Sequence, residues 1–520
     1  MYEIIIRNGS VIDGTGKPTF KADIAIDGGK IKAIGDLSAC CSKEEYDADN
    51  KYVVPGFIDI HTHSDKTLET YPLSESRILQ GVTTEVGGNC GISPFPINRE
   101  YAEDIKVYEG GNLTWQWNDV KSFLDHMEDV SISTNFGCLA GHGSIRMAVM
   151  GYSADEASKE QLISMRKLAA ETIRGGALGV SSGLIYPPGS YSNTNEMIYV
   201  LDALRENGGF YATHMRNERE KLVDSVKESI YVAKEAGVPL QISHHKSLHA
   251  PLHGIAVKET TRLIEEAIGE GMDVQCDQYP YSASATTLSS DIPSWAFEGG
   301  FDELVKRLHD PVIRARLKKE AEASHEGRWQ NISVSYLSSE KNRWMIGKSI
   351  TEIGELLGKT PADVVFDLVD EEHNQVNEVD FGMSENDIEL IMRKPYVMPG
   401  SDGEAYSLNC PGQPHPRNFG TFPRIIAYYC RDRKLFTLEE AIRKMTSLPA
   451  DRIGIDDRGR IREGMWADIV VFDFENLQSL PTYENPKQPC AGIDYVFVNG
   501  VLTAEKGIHT GARAGKIVRH

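Results

Sequence analysis

Phe210-Tyr-Ala-Thr-His214, a helix-patterned stretch over residues 218–236, and Pro239-Leu-Gln-Ile-Ser-His244 follow one another, and their order decides the fold. The outer two are short apolar runs of strand length. The middle stretch spaces its apolar residues as an amphipathic helix does. Strand, helix, strand predicts a parallel pair, since antiparallel neighbours need only a tight turn between them. Both apolar runs also end in histidine.

The alternation spreads outward from there. Residues 158–174 and 196–207 carry helical periodicity, and Gly179-Val180 and Phe210-Tyr-Ala212 follow them as short apolar segments. Upstream, Gly56-Phe-Ile-Asp-Ile60 has the same strand character. The chain therefore reads as α/β from about residue 54 to 455, with a parallel sheet or barrel. Between about 290 and 396 the pattern weakens into a charged, helix-rich stretch around Ile332-Ser-Val-Ser-Tyr336, which reads as an insertion.

The two ends differ from this middle. Tyr2-Glu-Ile-Ile-Ile-Arg7 and Ser10-Val-Ile-Asp13 flank Asn8-Gly9, a hairpin signal because both turn residues must reach positive φ. Asp27-Gly28-Gly29 joins a second strand pair, and Asn499-Gly500 follows Tyr495-Val-Phe-Val498. One small β domain built from residues 1–53 and 456–520 is expected beside the 54–455 domain.

The formal net charge of the 520 residues is −21, which argues against nucleic acid or an anionic membrane as partner. There is no secretory apolar region at the start and no run of membrane-spanning length. Eight cysteines are scattered without a disulfide framework. A cytoplasmic protein with reduced thiols is expected.

Five polar groups stand just after apolar runs, where a parallel barrel gathers its site. In Phe57-Ile-Asp-Ile-His61-Thr-His63 the two rings share one side of an extended chain and can converge on a metal. Gly87-Gly-Asn-Cys90-Gly91 offers a thiol; alone it reads as a buried inert cysteine. His214 and the His244-His245 doublet, taken singly, read as hydrogen-bonded structural histidines. Either ring of the doublet could be the ligand. Asp402, in Pro399-Gly-Ser401-Asp402-Gly403, alone reads as a turn residue. Together the order His-x-His, Cys, His, His, Asp, from residue 61 to 402, is far more specific than any member.

With these blocks, nearly the whole chain resembles the N-acyl-D-amino-acid deacylases (D-aminoacylases) of the amidohydrolase superfamily. The resemblance is carried by Val54–His63, Gly81–Pro94, Gly141–Arg146, Gly176–Gly189, Thr213–Glu218, Ile242–Lys246, Asp277–Tyr281, Ser401–Gly403, Pro414–Arg417 and Gly464–Ile469. It implies a distorted TIM (β/α)8 barrel with a helical insertion, plus a small β-sandwich domain formed by both termini. It implies Zn2+, one ion tightly held, with a second position in a binuclear site. His61 and His63 would form half of that site, Cys90 would bridge, and His214 and His244 would complete the tighter position. Asp402 would be the general acid/base. Lys246 and Tyr281 would bind the substrate's α-carboxylate, and Tyr186 would polarise the scissile carbonyl. The implied reaction is hydrolysis of an N-acyl-D-amino acid.

Two rivals remain open at this point. A cyclic amidase of the dihydropyrimidinase or dihydroorotase kind would carry a bridging lysine, where this chain has Cys90. A non-catalytic scaffold of the same fold would lack ligands that this chain retains. Ser294-Trp-Ala-Phe297, which contains no arginine, favours neutral or apolar D-amino acids if it walls the substrate; otherwise Trp295 and Phe297 pack the insertion.

Overall fold

The computed structural model describes residues 1–102, 106 and 113–520. Among them eight short parallel strands form a barrel. Phe57–Asp59, Val82–Gly87 and Asn135–Cys138 pair in sequence order. The chain passes through Leu139 into Ala140–Gly141, which begins a second run: Gly179–Gly183, Phe210–His214, Leu240–Ile242, Val274–Gln278 and Val397–Pro399. A parallel bridge between Thr62 and Gly403 brings the last strand back to the first.

Local signals place the outer helices. Ser158 caps Lys159–Arg174 in a reciprocal capping box with Gln161, and Gly237 ends Leu222–Ala236 in the left-handed conformation at φ 67°. Val226, Val232 and Ala233 face inward and join one core with Leu201, Leu240 and Ile264. That burial, rather than propensity, holds such helices in place.

Strands from both termini share one nine-stranded sheet, in which Tyr52–Pro55 runs antiparallel to Ile469–Phe472 with Val53 opposite Val471. Bonds from Ala467 N to Gly29 O and from Ile31 N to Met465 O fold its far edge back. Ile6, Ile24, Ile469, Val471 and Phe497 thereby share a core. Asn499-Gly500 and Gly28-Gly29 are hairpin turns at positive φ. Asn8-Gly9 is not: Tyr2–Val11 is one strand with a register shift between Ile6 and Gly9, so the positive φ of Asn8 serves a bulge.

The insertion lies between the seventh and eighth barrel strands. Its sheet orders Ser284–Thr287, Val376–Asp380 and Ile332–Leu337 antiparallel, and its helices close a separate core around Leu288, Phe297, Leu304 and Phe366. Trp295 packs on this core and donates its indole N–H to Glu320. Both aromatics thus pack the insertion rather than wall a substrate. No helix among the described residues is long and apolar enough to cross a membrane.

Candidate metal centre and active site

Each expected metal-binding or proton-transfer side chain leaves the carboxyl end of a barrel strand. His61 and His63 follow Phe57–Asp59, Cys90 follows Val82–Gly87, and His214 ends Phe210–His214. His244 follows Leu240–Ile242, and Asp402 follows Val397–Pro399. Three of these turn with left-handed backbone: Cys90 at φ 55°, His244 at 36° and Asp402 at 52°. A non-glycine residue held this way costs on the order of 1–3 kcal/mol, and such strain clusters at functional sites. Glycine makes the close packing feasible, since a Cβ on Gly183 would stand 1.9 Å from the Cys90 carbonyl oxygen.

The side chains converge. Cys90 Sγ lies 3.5 Å from His61 Nε2 and 3.5 Å from His244 Nε2. Asp402 Oδ1 lies 3.1 Å from His63 Nε2 and 3.3 Å from His61 Nε2. The His214 ring meets that of His244 edge to face at 4.4 Å. The His244-His245 doublet divides at the left-handed turn of His244: His244 faces Cys90, and His245 turns outward to bond Thr260 Oγ1 at 2.9 Å.

Electrostatics follow from packing these groups together away from water. Burial alone would raise the Cys90 thiol, but His61 and His244 overcome it and hold the thiol well below its usual range. Burial would lower His63 and His244; hydrogen bonding to Asp402 and Cys90 lifts His63 to about 9, and Glu218 and Cys90 lift His244 to about 8. Burial also opposes ionisation of Asp402, yet Arg417 and His61 keep it an anion.

This donor set fits a zinc ion. Thiolate with imidazoles is zinc's preferred company. Ligand atoms of His61, Cys90, His244 and Asp402 lie within 4.8 Å of one another, as do those of His214, Glu218 and His244. Both ring nitrogens of His214 are buried without a well-formed hydrogen bond, although the ring approaches Cys90. A buried polar atom left in that state is costly unless something further meets it.

Two buried carboxylates stand behind the rings. Asp277 Oδ1 lies 2.9 Å from His61 Nδ1 and accepts the His244 backbone N–H at 2.8 Å. Glu218 Oε1 lies 2.9 Å from His244 Nδ1. Each can take the Nδ1 proton and leave Nε2 free to bind metal. The Asp402 loop is pinned likewise: Ser401 N bonds Asp59 Oδ1 at 2.9 Å, and Arg77 donates to Ser401 Oγ at 2.9 Å. Sequence reasoning quoted Glu218 and Asp277 within motifs without assigning them roles. Glu218 closely follows His214 in the sequence, whereas no histidine lies near Asp277 to mark it.

Three substrate-side expectations fare differently. Tyr186 lines the cavity, its ring 5.1 Å from that of His214 and its hydroxyl bonded to Thr286. Lys246 is buried, but its Nζ bonds Glu218 and the His244 carbonyl and also touches His244 Nδ1. Its donors are used, so the expected free cation is here an ion pair. Tyr281 packs against His415, Tyr483 and Arg424 behind the cavity wall. Tyr279, two residues earlier, lines the cavity with an unpartnered hydroxyl. The motif Asp277-Gln-Tyr-Pro-Tyr281 offered two tyrosines, and the strand's end decides which one faces inward.

Arg417 was missed, although Pro414-His-Pro-Arg417 was noted. Its Nη1 lies 2.8 Å from Asp402 Oδ2, while Nε and Nη1 make no well-formed hydrogen bond. The contact with Asp402 is therefore Coulombic, and N–H groups remain for something else.

A family model described as "Amidohydrolase family" matches residues 44–504. D-aminoacylase of Alcaligenes xylosoxydans xylosoxydans is 35% identical, covering 99% of this chain and 97% of its own length. A solved D-aminoacylase, from work on its binuclear metal centre, is 34% identical with a TM-score of 0.85 over 100% of both chains. N-acyl-D-glutamate deacylase from Bordetella bronchiseptica, solved with zinc and a phosphonate inhibitor, is 28% identical, also with a TM-score of 0.85 over 100% of both chains.

Proposed function

Since this chain belongs to the amidohydrolase family, we propose that it hydrolyses N-acyl-D-amino acids to a carboxylate and a free D-amino acid, with zinc as cofactor. The observation that carries this is the Cys90 thiol set 3.5 Å from two histidine rings, with the ionised Asp402 beside them. A lysine in place of Cys90 would have favoured a cyclic amidase. Cys90, His214 and His244, with His61 and His63 beside them, would hold the zinc, which would supply Lewis acidity and lower the pKa of a water toward neutral pH.

The chain's own groups supply the rest. Asp402 is unprotonated and can take a proton from the attacking water, then pass it to the departing nitrogen. Burial holds the Tyr186 hydroxyl protonated, so it can donate to the scissile carbonyl oxygen. Arg417, with unspent N–H groups beside Asp402, is suited to the α-carboxylate, and the Tyr279 hydroxyl can join it. Carboxylate, carbonyl and side chain held at three points distinguish mirror forms about one carbon. All eight cysteines are free, which suits the cytoplasm.

The test is metal analysis of purified protein, then a screen of matched N-acetyl-D and N-acetyl-L amino acids with zinc supplied. Zinc bound and D forms cut selectively is the expected result. A zinc-loaded protein that cuts no N-acyl-D-amino acid overturns the reading.

A further inference from the structure

The cavity over the metal-binding residues is large, about 1260 Å³, and reaches well beyond them to a wall built partly by the insertion. On that wall two guanidinium groups share one carboxylate oxygen. Asp380 Oδ2 accepts from Arg328 Nη2 at 2.7 Å and from Arg219 Nη2 at 3.0 Å. Arg219 comes from the loop after the fifth barrel strand, whereas Arg328 and Asp380 belong to the insertion. A guanidinium carries five N–H donors. Arg328 spends one on the protein, and Arg219 spends a second on Leu248 O at 3.3 Å. Their side chains are 21% and 27% exposed and line the cavity, so the unspent donors have access to it.

The surrounding acids leave these donors free. Glu378 is buried close to Asp291, and burial and that neighbour raise its carboxyl well above the usual range, leaving it neutral. Asp291 is occupied by His325 Nε2 at 2.7 Å. Asp291 stays ionised and its charge also reaches both guanidiniums, but only Asp380 bonds them, so most of their N–H donors remain unspent. Burial first, and then the neighbouring charge of Arg219, lower Arg328 against the pull of Asp380 and Asp291.

We infer that Arg219 and Arg328 form a second anion subsite, which takes a carboxylate remote from the substrate's α-carboxylate. The inference rests on the deacylase reading and narrows it to dianionic N-acyl-D-amino acids. The second carboxylate can sit on the side chain, as in D-glutamate, or on the acyl group, as in a succinyl amide. Arginine suits either, because its planar fork meets a carboxylate with two parallel N–H bonds. This replaces the preference for neutral substrates expected from Ser294-Trp-Ala-Phe297, since the arginines come from other segments.

The test compares kcat/KM for N-acetyl-D-methionine, N-acetyl-D-glutamate and N-succinyl-D-methionine in the zinc-loaded wild type, Arg328→Gln and Arg219→Gln. At least one dianion should exceed N-acetyl-D-methionine in the wild type. Each variant should cut that advantage about tenfold or more through KM, as expected for a charge-assisted contact; the favoured substrate tells side chain from acyl group. Equal losses on all three substrates, or both dianions poorer than N-acetyl-D-methionine in the wild type, overturn the inference. A second readout needs no turnover, so that failure of the deacylase reading stays distinguishable. Glutarate titrated calorimetrically should bind the wild type, bind Arg328→Gln about tenfold more weakly, and bind Asp380→Asn more tightly, since that change frees both guanidiniums. No glutarate binding, or weaker binding to a folded Asp380→Asn, also overturns it.

Discussion

Lys246 Nζ stands 2.7 Å from Glu218, and the same carboxylate lies 2.9 Å from His244 Nδ1. Burial would make Glu218 reluctant to ionise; Lys246 and His244 overcome this and hold it below its usual range. An ionised Glu218 can accept the Nδ1 proton of His244 and leave Nε2 for metal. Glu218→Gln and Lys246→Met should therefore both weaken zinc retention, by roughly 10–100-fold for a group that orients a ligand. Zinc titration against a competing chelator measures this. Unchanged retention in both variants would reduce the pair to core packing.

Zinc uptake should depend on pH with a definite sign. A protonated ring nitrogen or a thiol cannot ligate until its proton leaves. In the metal-free protein His244 titrates at about 8 and His63 at about 9. Below these values zinc must displace protons, and, against burial, Asp277 and Cys90 also raise His61 well above its ordinary value, so affinity should rise with pH through about 8 to 9. Calorimetry in buffers of different ionisation enthalpy should show proton release near pH 7. Affinity that falls over this range would contradict the assignment.

Asp402 has its two oxygens between His61, His63 and Arg417. Asp402→Asn keeps the shape but cannot take a proton. Turnover should fall by at least about 10²-fold, the lower range for a positioned acid/base group, while zinc content stays near that of the wild type. A loss of only a few-fold would leave Asp402 a turn residue with an unusual backbone.

Much of this was legible before the structure, and the failures have physical causes. Strand–helix alternation exposed a parallel sheet or barrel because each apolar run is short and each helix keeps its period, and the family resemblance pointed to the barrel. His61, Cys90, His214, His244 and Asp402 could be picked out because each stands at or just after the end of an apolar run and together they form one order along the chain. Glu218 and Asp277 were harder, since a carboxylate that orients a ring is defined by a distance across strands. Arg219 and Arg328 were invisible as a pair: they lie far apart in the chain and meet only on Asp380. Asn8-Gly9 misled because a bulge needs the same positive φ as a hairpin turn.

The two tyrosines of Asp277-Gln-Tyr-Pro-Tyr281 separate the observed geometry from the motif alone. Tyr279 faces the cavity, with Arg417 over its ring at 4.9 Å and Lys246 at 5.8 Å. Tyr281 is held between His415, Tyr483 and Arg424. If Arg417 and the Tyr279 hydroxyl read the α-carboxylate, Tyr279→Phe removes one hydrogen bond to a charged group, about 1.5–3 kcal/mol, or roughly tenfold or more in KM. Arg417→Met should lose more, because it also strips Asp402 of its neighbouring cation. Tyr281→Phe should leave KM close to wild type, since its ring packing is retained. Kinetics on one N-acyl-D-amino acid with all three variants decides it. A KM effect confined to Tyr281→Phe would return the carboxylate contact to Tyr281.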